Sequence, residues 1–447
     1  MKKRTIHIGI DDTDSTRKGC TTHITALLVE KLEKLNVKFL DYPNLIRLNP
    51  NVPWKTRGNG ALCLRIEYDS EIDDEIKQIT KKVVETHSDL EFENTNPGIV
   101  FFNKKDVPQD IKNFSKNAIE DIVSLKTANN LIEKFELDSI GFNNSRGIIG
   151  ALAAIGEELD CDHTFELIAY REINNLGKKR KVDKNSIFVM DKLTEPFTFN
   201  NIDLEKSRVI ITPRGPDPIL FGIRGETALI VKKAFSLVKS FEKIDKWVIF
   251  RTNQGTDVHL KKVEKFSLLK PFNSVIVKGT VSNNPHIIPL RHVIFSIKDK
   301  SGEVDCAAYE PTGLLRKVAR KLIVSDQVEV YGAVKQREAG KALTINLEKI
   351  RILDLSPKIE FQNPVCPNCK KHLKSLGKNK GFRCDKCHKK HQDKQKEEIM
   401  INREIKKGMY ITSSRSQRHL TKPFRRYGLE KTCCENKGNM IDKWHNP

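Results

Sequence analysis

With 447 residues, 38% of them apolar, the chain is too long for one ordinary domain and carries core formers for several; at about 100–200 residues per domain, three or four are expected. Its formal charge is +21, from 79 Lys/Arg against 58 Asp/Glu, which favours a polyanionic partner because basic side chains displace the counterions condensed on phosphates. No stretch reaches the ~20 apolar residues of a membrane span, and the apolar run after Lys2, Lys3 and Arg4 meets Asp11 and Asp12 too soon for a leader peptide, so a soluble, cytoplasmic protein is expected.

In chain order, residues 5–10 (TIHIGI) read as a short buried strand that runs into a polar turn, DDTDS. A helix follows, with Ile24, Leu28, Leu32 and Leu35 on one face. Strands are expected near 38–48 and 61–68, separated by the Gly/Pro-rich loop NPNVPWKTRGNG, then a helix near 72–87 and the apolar run IVFF. This mixture is α/β or α+β. From about residue 145 the pattern changes. SRGIIGALAAIGEEL reads as a Gly/Ala-rich helix able to pack closely on a neighbour. ILFGIRGETALIVKKAFSLVKS reads as strand, turn and helix, and KWVIFRTNQGTD as strand and loop, which suits a ferredoxin-like layer. Residues 273–353 read as five strands with a helix, TGLLRKVARKL, between the third and fourth. That order matches an OB-fold, a barrel that binds single-stranded nucleic acid. DKQKEEIMINREIKK reads as helical, and SSRSQRHLTKPFRRYG as a basic tail.

The surplus charge is uneven. Residues 363–447 hold 22 Lys/Arg and 8 Asp/Glu, so a surplus of 14 lies in the last fifth of the chain. That placement marks a binding region more than a general surface bias. The same region carries Cys366-Pro-Asn-Cys369 and, after fourteen residues, Cys384-Asp-Lys-Cys387. Two such knuckles make a tetrahedral thiolate site, and a set of four protein ligands makes a structural zinc site with no open position. His388 is an exposed neighbour or a substitute ligand. These pairs point to a metal in a reducing compartment more than to disulfides. A zinc deaminase is excluded, because none of the twelve histidines has Glu two residues on.

The second constellation is Asp11, Asp12 and Asp14 at a strand end. Three acids in a tight turn repel one another unless a cation compensates, and Mg²⁺ with substrate phosphates is the natural occupant; a solvated, helix-capping turn is the plainer alternative. Gly19-Cys20-Thr21-Thr22 opens a helix, offering free amides and two hydroxyls to a phosphate. Lys55, Thr56, Arg57, Gly58, Asn59 and Gly60 form a second basic, amide-rich loop. Together these predict a nucleoside triphosphate site, though not a Walker P-loop, since G-x-x-x-x-G-K-[ST] does not occur. Arg146, followed by Gly147 and Gly150, and Arg224, between Gly222 and Gly225, are weaker candidates.

GIDDTDS, GCTTH, LIRLNPNVPWKTRGNGA, TNPG, RGIIGALAAIG, ELIAYR and GIRGE occur in this order, followed by the OB-like region, CPNC…CDKC and RHLTKP. Over about residues 5–427 the chain resembles the archaeal isoleucine-tRNA 2-agmatinylcytidine synthetase family. The resemblance implies a multidomain α+β protein. Its parts are a kinase-like catalytic domain over 1–144, a ferredoxin-like domain over 145–268, an OB-fold over 269–356, and a zinc ribbon with basic tail over 357–447. It implies an ATP-dependent ligase that attaches agmatine to C2 of the wobble cytidine of a CAU-anticodon isoleucine tRNA, changing the codon read from AUG to AUA, with ATP ending as AMP and phosphate. Carried over, Asp11, Asp12 and Asp14 resemble the Mg²⁺–ATP carboxylates, Thr21 the autophosphorylated threonine, and Lys55 and Arg57 the basic loop. Gly19, Thr22, Gly58, Asn59, Gly60 and Arg146 fall beside them as ATP and phosphate ligands. Agmatine has a guanidinium and an amine, so Asp217, Glu226 and Asp257 are candidates by type. Two departures stand out. Leu290-Arg291-His292 replaces a Gly-Gly-His common in the family, and the tail beyond Tyr427, with Cys433 and Cys434, matches no family motif. The competing readings are a non-enzymatic OB-plus-ribbon RNA-binding protein and a modifier using another amine such as lysine.

Overall fold

The computed structural model describes residues 3–56, 58–336, 338, 340, 342–433 and 439–446. The first half is built on one sheet. It takes β1 (Lys3–Asp11), β2 (Lys38–Phe39), β3 (Asn44–Arg47), β4 (Gly60–Asp69), β5 (Gly98–Phe102) and β6 (Asp138–Gly141). Helices α1 (Thr21–Glu33) and α2 (Asp73–His87) cover one face; α3 (Gln109–Glu120), α4 (Leu125–Phe135) and α5 (Gly147–Gly156) cover the other. The expected segment near 38–48 is two short strands separated by a turn.

Helix α5 is the Gly/Ala-rich segment. It packs on β1, so close that a Cβ on Gly9 would sit 2.1 Å from the Ala151 carbonyl oxygen. Small residues on both surfaces are therefore needed for the approach. Although α5 falls after the expected boundary at 144, it serves the first sheet.

The second unit runs β7 (Thr164–Arg171), α6 (Lys184–Thr194), β8 (Thr198–Phe199), the short hairpin β9 (Ile202–Asp203) and β10 (Arg208–Val209), β11 (Ile219–Gly225), α7 (Ala228–Leu237) and β12 (Ile244–Thr252). Its strand order is β12-β7-β11-β8, all antiparallel. With the crossover helices α6 and α7 this is the ferredoxin-like arrangement that the sequence predicts. Strand β12 also pairs in parallel with β3, so both units share an eleven-stranded sheet and one apolar core.

Strand β13 (Leu260–Lys262) leads into a barrel of β14 (Ser274–Val281), β16 (His292–Lys298), β17 (Glu303–Ala308), β18 (Gln327–Gln336) and β19 (Leu343–Asp354), with β15 (His286–Ile288) on its edge and α8 (Leu314–Ala319) between β17 and β18. The order β14-β18-β19-β17-β16 closes through β14–β16, and β17 runs parallel to β19. This is an OB-fold.

A two-stranded neck, β20 (Lys358–Gln362) against β24 (Glu397–Ile401), carries the ribbon strands β21 (Lys374–Ser375), β22 (Phe382–Arg383) and β23 (Lys390–His391). The sequence read DKQKEEIMINREIKK as a helix. Residues 397–401 are a strand instead, because pairing with β20 outweighs the helix propensity of Glu and Lys. The chain then returns. Strand β25 (Gly408–Ile411) joins the barrel, and β26 (His445–Asn446) pairs with β12. Among the described residues no helix is long and apolar enough to cross a membrane.

Candidate active site

The acidic turn follows β1, the buried central strand. Asp11 lies against α5, where a Cβ on Gly150 would come within 1.8 Å of its Oδ2. Only glycine there leaves room for the carboxylate. Asp12 takes a left-handed conformation (φ 57°) and its Oδ2 accepts from Arg146 at 3.2 Å. Asp14 accepts from the Thr56 hydroxyl at 3.0 Å, tying the turn to the basic loop.

Burial pushes the Asp11 carboxyl well above the ordinary aspartate range, and the charge of Asp12 pushes it further. Burial also raises Asp12, against the opposing pull of Arg146. Among the described residues, the cations near Asp11 and Asp12 do not offset their desolvation. Hard carboxylate donors in that state fit Mg²⁺.

The two phosphate-friendly segments face this turn across a cavity of about 390 Å³. Thr21 and Thr22, in the first turn of α1, border it, and the Thr21 hydroxyl oxygen accepts from Thr13 at 3.0 Å. Gly19 stands behind them with φ +83° and makes the bend into the helix. Lys55, Gly58, Asn59 and Gly60 border the cavity from the other loop, as does Arg146 from the start of α5. Arg57 lies outside the described residues. Half-burial, with Arg418 nearby, lowers the Lys55 pKa.

The opposite wall comes from the ferredoxin-like unit, and sequence reasoning missed most of it. Glu166 on β7 is buried. It accepts from Arg224 Nε at 3.0 Å and from Gln254 Nε2, with Arg47 at 3.9 Å. Burial alone would raise this carboxyl, but Arg224 and Arg47 outweigh it and hold it below the ordinary range. Burial lowers Arg47 to about 10, which the charge of Glu166 opposes.

His419, from the tail motif RHLTKP, enters the same wall. Its backbone carbonyl accepts from Gly255 at 2.8 Å, and the Leu420 carbonyl accepts from Asp257 at 2.8 Å. The motif therefore docks along the QGTD loop that follows β12. The available signal was that two polar motifs 165 residues apart both lacked a role; nothing local shows that they touch.

The three acids named by type separate. Asp217 borders the cavity and holds Arg180 at 3.1 Å. Glu226 does not border it and pairs with the buried Arg426 at 2.7 Å. Asp257 pairs with Lys349 and accepts from the Lys422 amide at 2.7 Å. The tail is tied down further by Asp162, which meets Arg426 at 2.7 Å, and by a disulfide between Cys161 and Cys433. The sequence favoured a metal over disulfides for the two C-x-x-C pairs, and this bond lies outside them.

In the ribbon, the four ligand sulfurs of Cys366, Cys369, Cys384 and Cys387 lie within 4.8 Å of one another. The 3.7 Å separation of Cys366 and Cys387 agrees with the edge of a tetrahedron whose metal–sulfur bonds are about 2.3 Å. The backbone amide of Cys387 draws the Cys384 pKa down to about 7, while a hydrogen bond with Cys387 pushes Cys369 up to about 12. Four thiolates coexist there only around a cation, and zinc fits.

Four family models match the chain: the TiaS TCKD domain over 7–144, the TiaS FLD domain over 145–259, an OB-fold nucleic acid binding domain over 275–353, and the TiaS C-terminal zinc ribbon domain over 363–405. The chain is 44% identical to the isoleucine-tRNA 2-agmatinylcytidine synthetase TiaS of Methanocaldococcus jannaschii, over 93% of this chain and 97% of that one. It is similar to the crystal structure of TiaS in complex with its isoleucine tRNA and ATP, with TM-score 0.86 and 38% identity over 98% and 99% of the two chains. It is also similar to that of TiaS in complex with the same tRNA, AMPCPP and agmatine, with TM-score 0.83 and 37% identity over 95% and 97%.

Proposed function

Because the chain belongs to the TiaS family, we infer that it is an isoleucine-tRNA 2-agmatinylcytidine synthetase, an ATP-dependent ligase that joins agmatine to C2 of the wobble cytidine of the CAU-anticodon isoleucine tRNA. Its substrates are that tRNA, agmatine and ATP, and the altered base reads AUA in place of AUG. The observation that carries the reading is a single cleft. A turn with raised carboxyls and two amide-rich loops form one side, and a wall holding Glu166 and Asp217 forms the other. A protein that only bound RNA would have no use for half-buried, like-charged acids beside phosphate loops. The cytoplasm, where tRNA is modified, is the compartment that suits this work.

The chemistry explains the residue types. The C2 oxygen of cytosine leaves poorly, and phosphorylation makes it a good leaving group for displacement by the amine. Asp11, Asp12 and Asp14 would hold Mg²⁺, which neutralises charge on the transferring phosphoryl group. Lys55, Arg146 and the α1 amides are suited to orient the phosphates. Thr21, at the helix start, offers a hydroxyl where a phosphoryl group can be accepted. The wobble base leaves the anticodon stack to reach the cleft. The OB-fold and zinc ribbon supply the nucleic-acid surface.

The test is incubation with CAU-anticodon isoleucine tRNA, Mg²⁺-ATP and labelled agmatine, with labelled lysine in parallel. Label transferred from agmatine alone is expected. No transfer would sink the reading, and transfer from lysine would reassign the amine. Asp12→Ala is expected to abolish turnover while leaving tRNA affinity nearly intact; equal loss of both would assign the acids to folding.

A further inference from the structure

One histidine in the cleft has its proton placed by its neighbours. Glu166 is held ionised by Arg224 and Arg47, and an ionised carboxylate only accepts hydrogen bonds. The Gln254 amide facing it must therefore present nitrogen, and it does, donating Nε2–H. Gln254 then turns its oxygen the other way. Oε1 lies 2.9 Å from His419 Nδ1, and an amide oxygen only accepts. Nδ1 of His419 must carry the hydrogen. In a neutral ring, Nε2 is then left with its lone pair.

The ring is neutral for a reason visible around it. It is half-buried, and every charged side chain identified as acting on it is a cation: Arg47 from β3, Arg224 from β11 and Lys55 from the basic loop. Burial first, and these charges second, hold its pKa well below the ordinary histidine value. Nε2 meets the phosphate loop, since a Cβ on Gly58 would lie 2.9 Å from it. No hydrogen bond within the described residues occupies Nε2. It thus stands between the phosphate end of the cleft and the wall that carries Asp217.

We propose that His419 is a catalytic base of the second chemical step, its Nε2 taking the proton from the agmatine amine as that nitrogen bonds to C2, with Glu166 and Gln254 as positioning residues that fix the tautomer. This rests on the function proposed above. In the step, the nitrogen–C2 bond forms and the C2–O bond to the phosphoryl group breaks. Inorganic phosphate leaves with the bonding pair, and the surplus proton of the nitrogen passes to Nε2. The product phosphate, a stronger base beside three cations, can take that proton onward and return the ring to its neutral form.

The experiment uses the full-length protein with zinc bound and separates the two steps. Transfer of label from γ-labelled ATP to the tRNA reads the first, and incorporation of labelled agmatine reads the second. In His419→Ala, phosphoryl label is expected to appear on the tRNA at near the wild-type rate and to persist, while agmatine incorporation falls about 100-fold or more. Added imidazole is expected to restore part of the loss. Gln254→Leu is expected to lose less, through kcat and not through the KM for agmatine. Nitrogen NMR of histidine-labelled protein gives a readout independent of turnover: a protonated Nδ1 and a bare Nε2 at His419, scrambled in Glu166→Gln.

Equal loss of both labels in His419→Ala, undiminished agmatine incorporation, or an Nε2–H tautomer would each overturn the proposal. Absence of agmatine incorporation by the unaltered protein would instead overturn the function on which it rests.

Discussion

Two groups of acids in this molecule, buried or half-buried, look alike in the sequence and behave in opposite ways. At the end of β1, Asp11 and Asp12 share one guanidinium among the described residues, Arg146, and both carboxyls are raised. Along the seam between the ferredoxin-like unit, the barrel and the tail, each acid meets a cation from a distant part of the chain. Glu226 and Asp162 meet Arg426, Asp191 meets Arg425, and Asp203 meets Arg415. Glu348 is drawn down to about 2, because His259 and Arg418 outweigh its burial. Among the described residues, cations do not offset the desolvation of the first group, and they match the charges of the second. Buried acids that lack compensation are suited to a ligand that brings it; compensated ones hold the structure together.

The largest expected effect lies in the compensated group. Arg426 is fully buried and donates to Glu226, to Asp162 and to the Gly255 carbonyl. Arg426→Ala leaves two carboxylates and a carbonyl without their donor, and a loss of about 3–5 kcal/mol is expected. Urea unfolding monitored at the ferredoxin-like unit measures it. A loss below about 1 kcal/mol would mean that the seam is not a lock.

The uncompensated group should respond with the opposite sign. Asp11→Asn removes a half-buried charge that the described residues do not offset in the metal-free protein, and a gain of about 0.5–2 kcal/mol is expected together with loss of turnover. Thermal unfolding without Mg²⁺ reads the first and the agmatine assay the second. Destabilisation by Asp11→Asn would place this acid with the structural group and erase the contrast.

Proton linkage gives a smaller version of the same result. Because the folded-state pKa values of Asp11 and Asp12 are raised, the folded state binds more protons than the unfolded one between the ordinary aspartate range and the raised values. In the metal-free protein, their contribution to stability therefore falls as pH rises through that window and recovers as pH falls. Mg²⁺ competes with those protons, so its stabilising shift in Tm is expected to be larger at pH 7.5 than at pH 5. Asp12→Asn should shrink the difference. A Mg²⁺ shift independent of pH would break the link between these carboxyls and the metal.

Much of this organisation was legible in the sequence, because it rests on local rules. The OB-fold announces itself through the positions of five strands and one helix, the ribbon through cysteine spacing, and the acidic turn through three Asp residues after a buried strand. The Gly/Ala helix was legible as a close-packing element but not as the floor of Asp11, since that depends on which neighbour it meets. The strand at 397–401 was misread because its partner is at 358–362, beyond any local window. The basic tail was read as RNA grip from its charge alone. Its arginines at 415, 418, 425 and 426 are instead committed to acids of the seam. Lysines of the ribbon are exposed, among them Lys378, Lys380 and Lys386. Glu166, Gln254 and His419 carry no local signature because their meaning lies in facing one another.

The smallest expected effect is the one that most directly sharpens the comparison. Residue type alone made Asp217, Glu226 and Asp257 equal candidates for the two cationic ends of agmatine. All three are paired with a cation, Asp217 with Arg180 at 3.1 Å, but their positions differ. Glu226 accepts from both Nε and NH2 of Arg426 and lies 3.6 Å from Lys431, so its charge is already matched. Asp257 is matched by Lys349, itself buried. Asp217 alone of the three borders the cavity, beside the wall that Glu166 and His419 form. With enzyme assayed well below its unfolding temperature, Glu226→Gln is therefore expected to leave the KM for agmatine within about twofold. Asp217→Asn is expected to raise it by about 10-fold, the equivalent of one charge-assisted hydrogen bond. An increase of that size in Glu226→Gln, with none in Asp217→Asn, would show that position at the cavity does not sort the three acids.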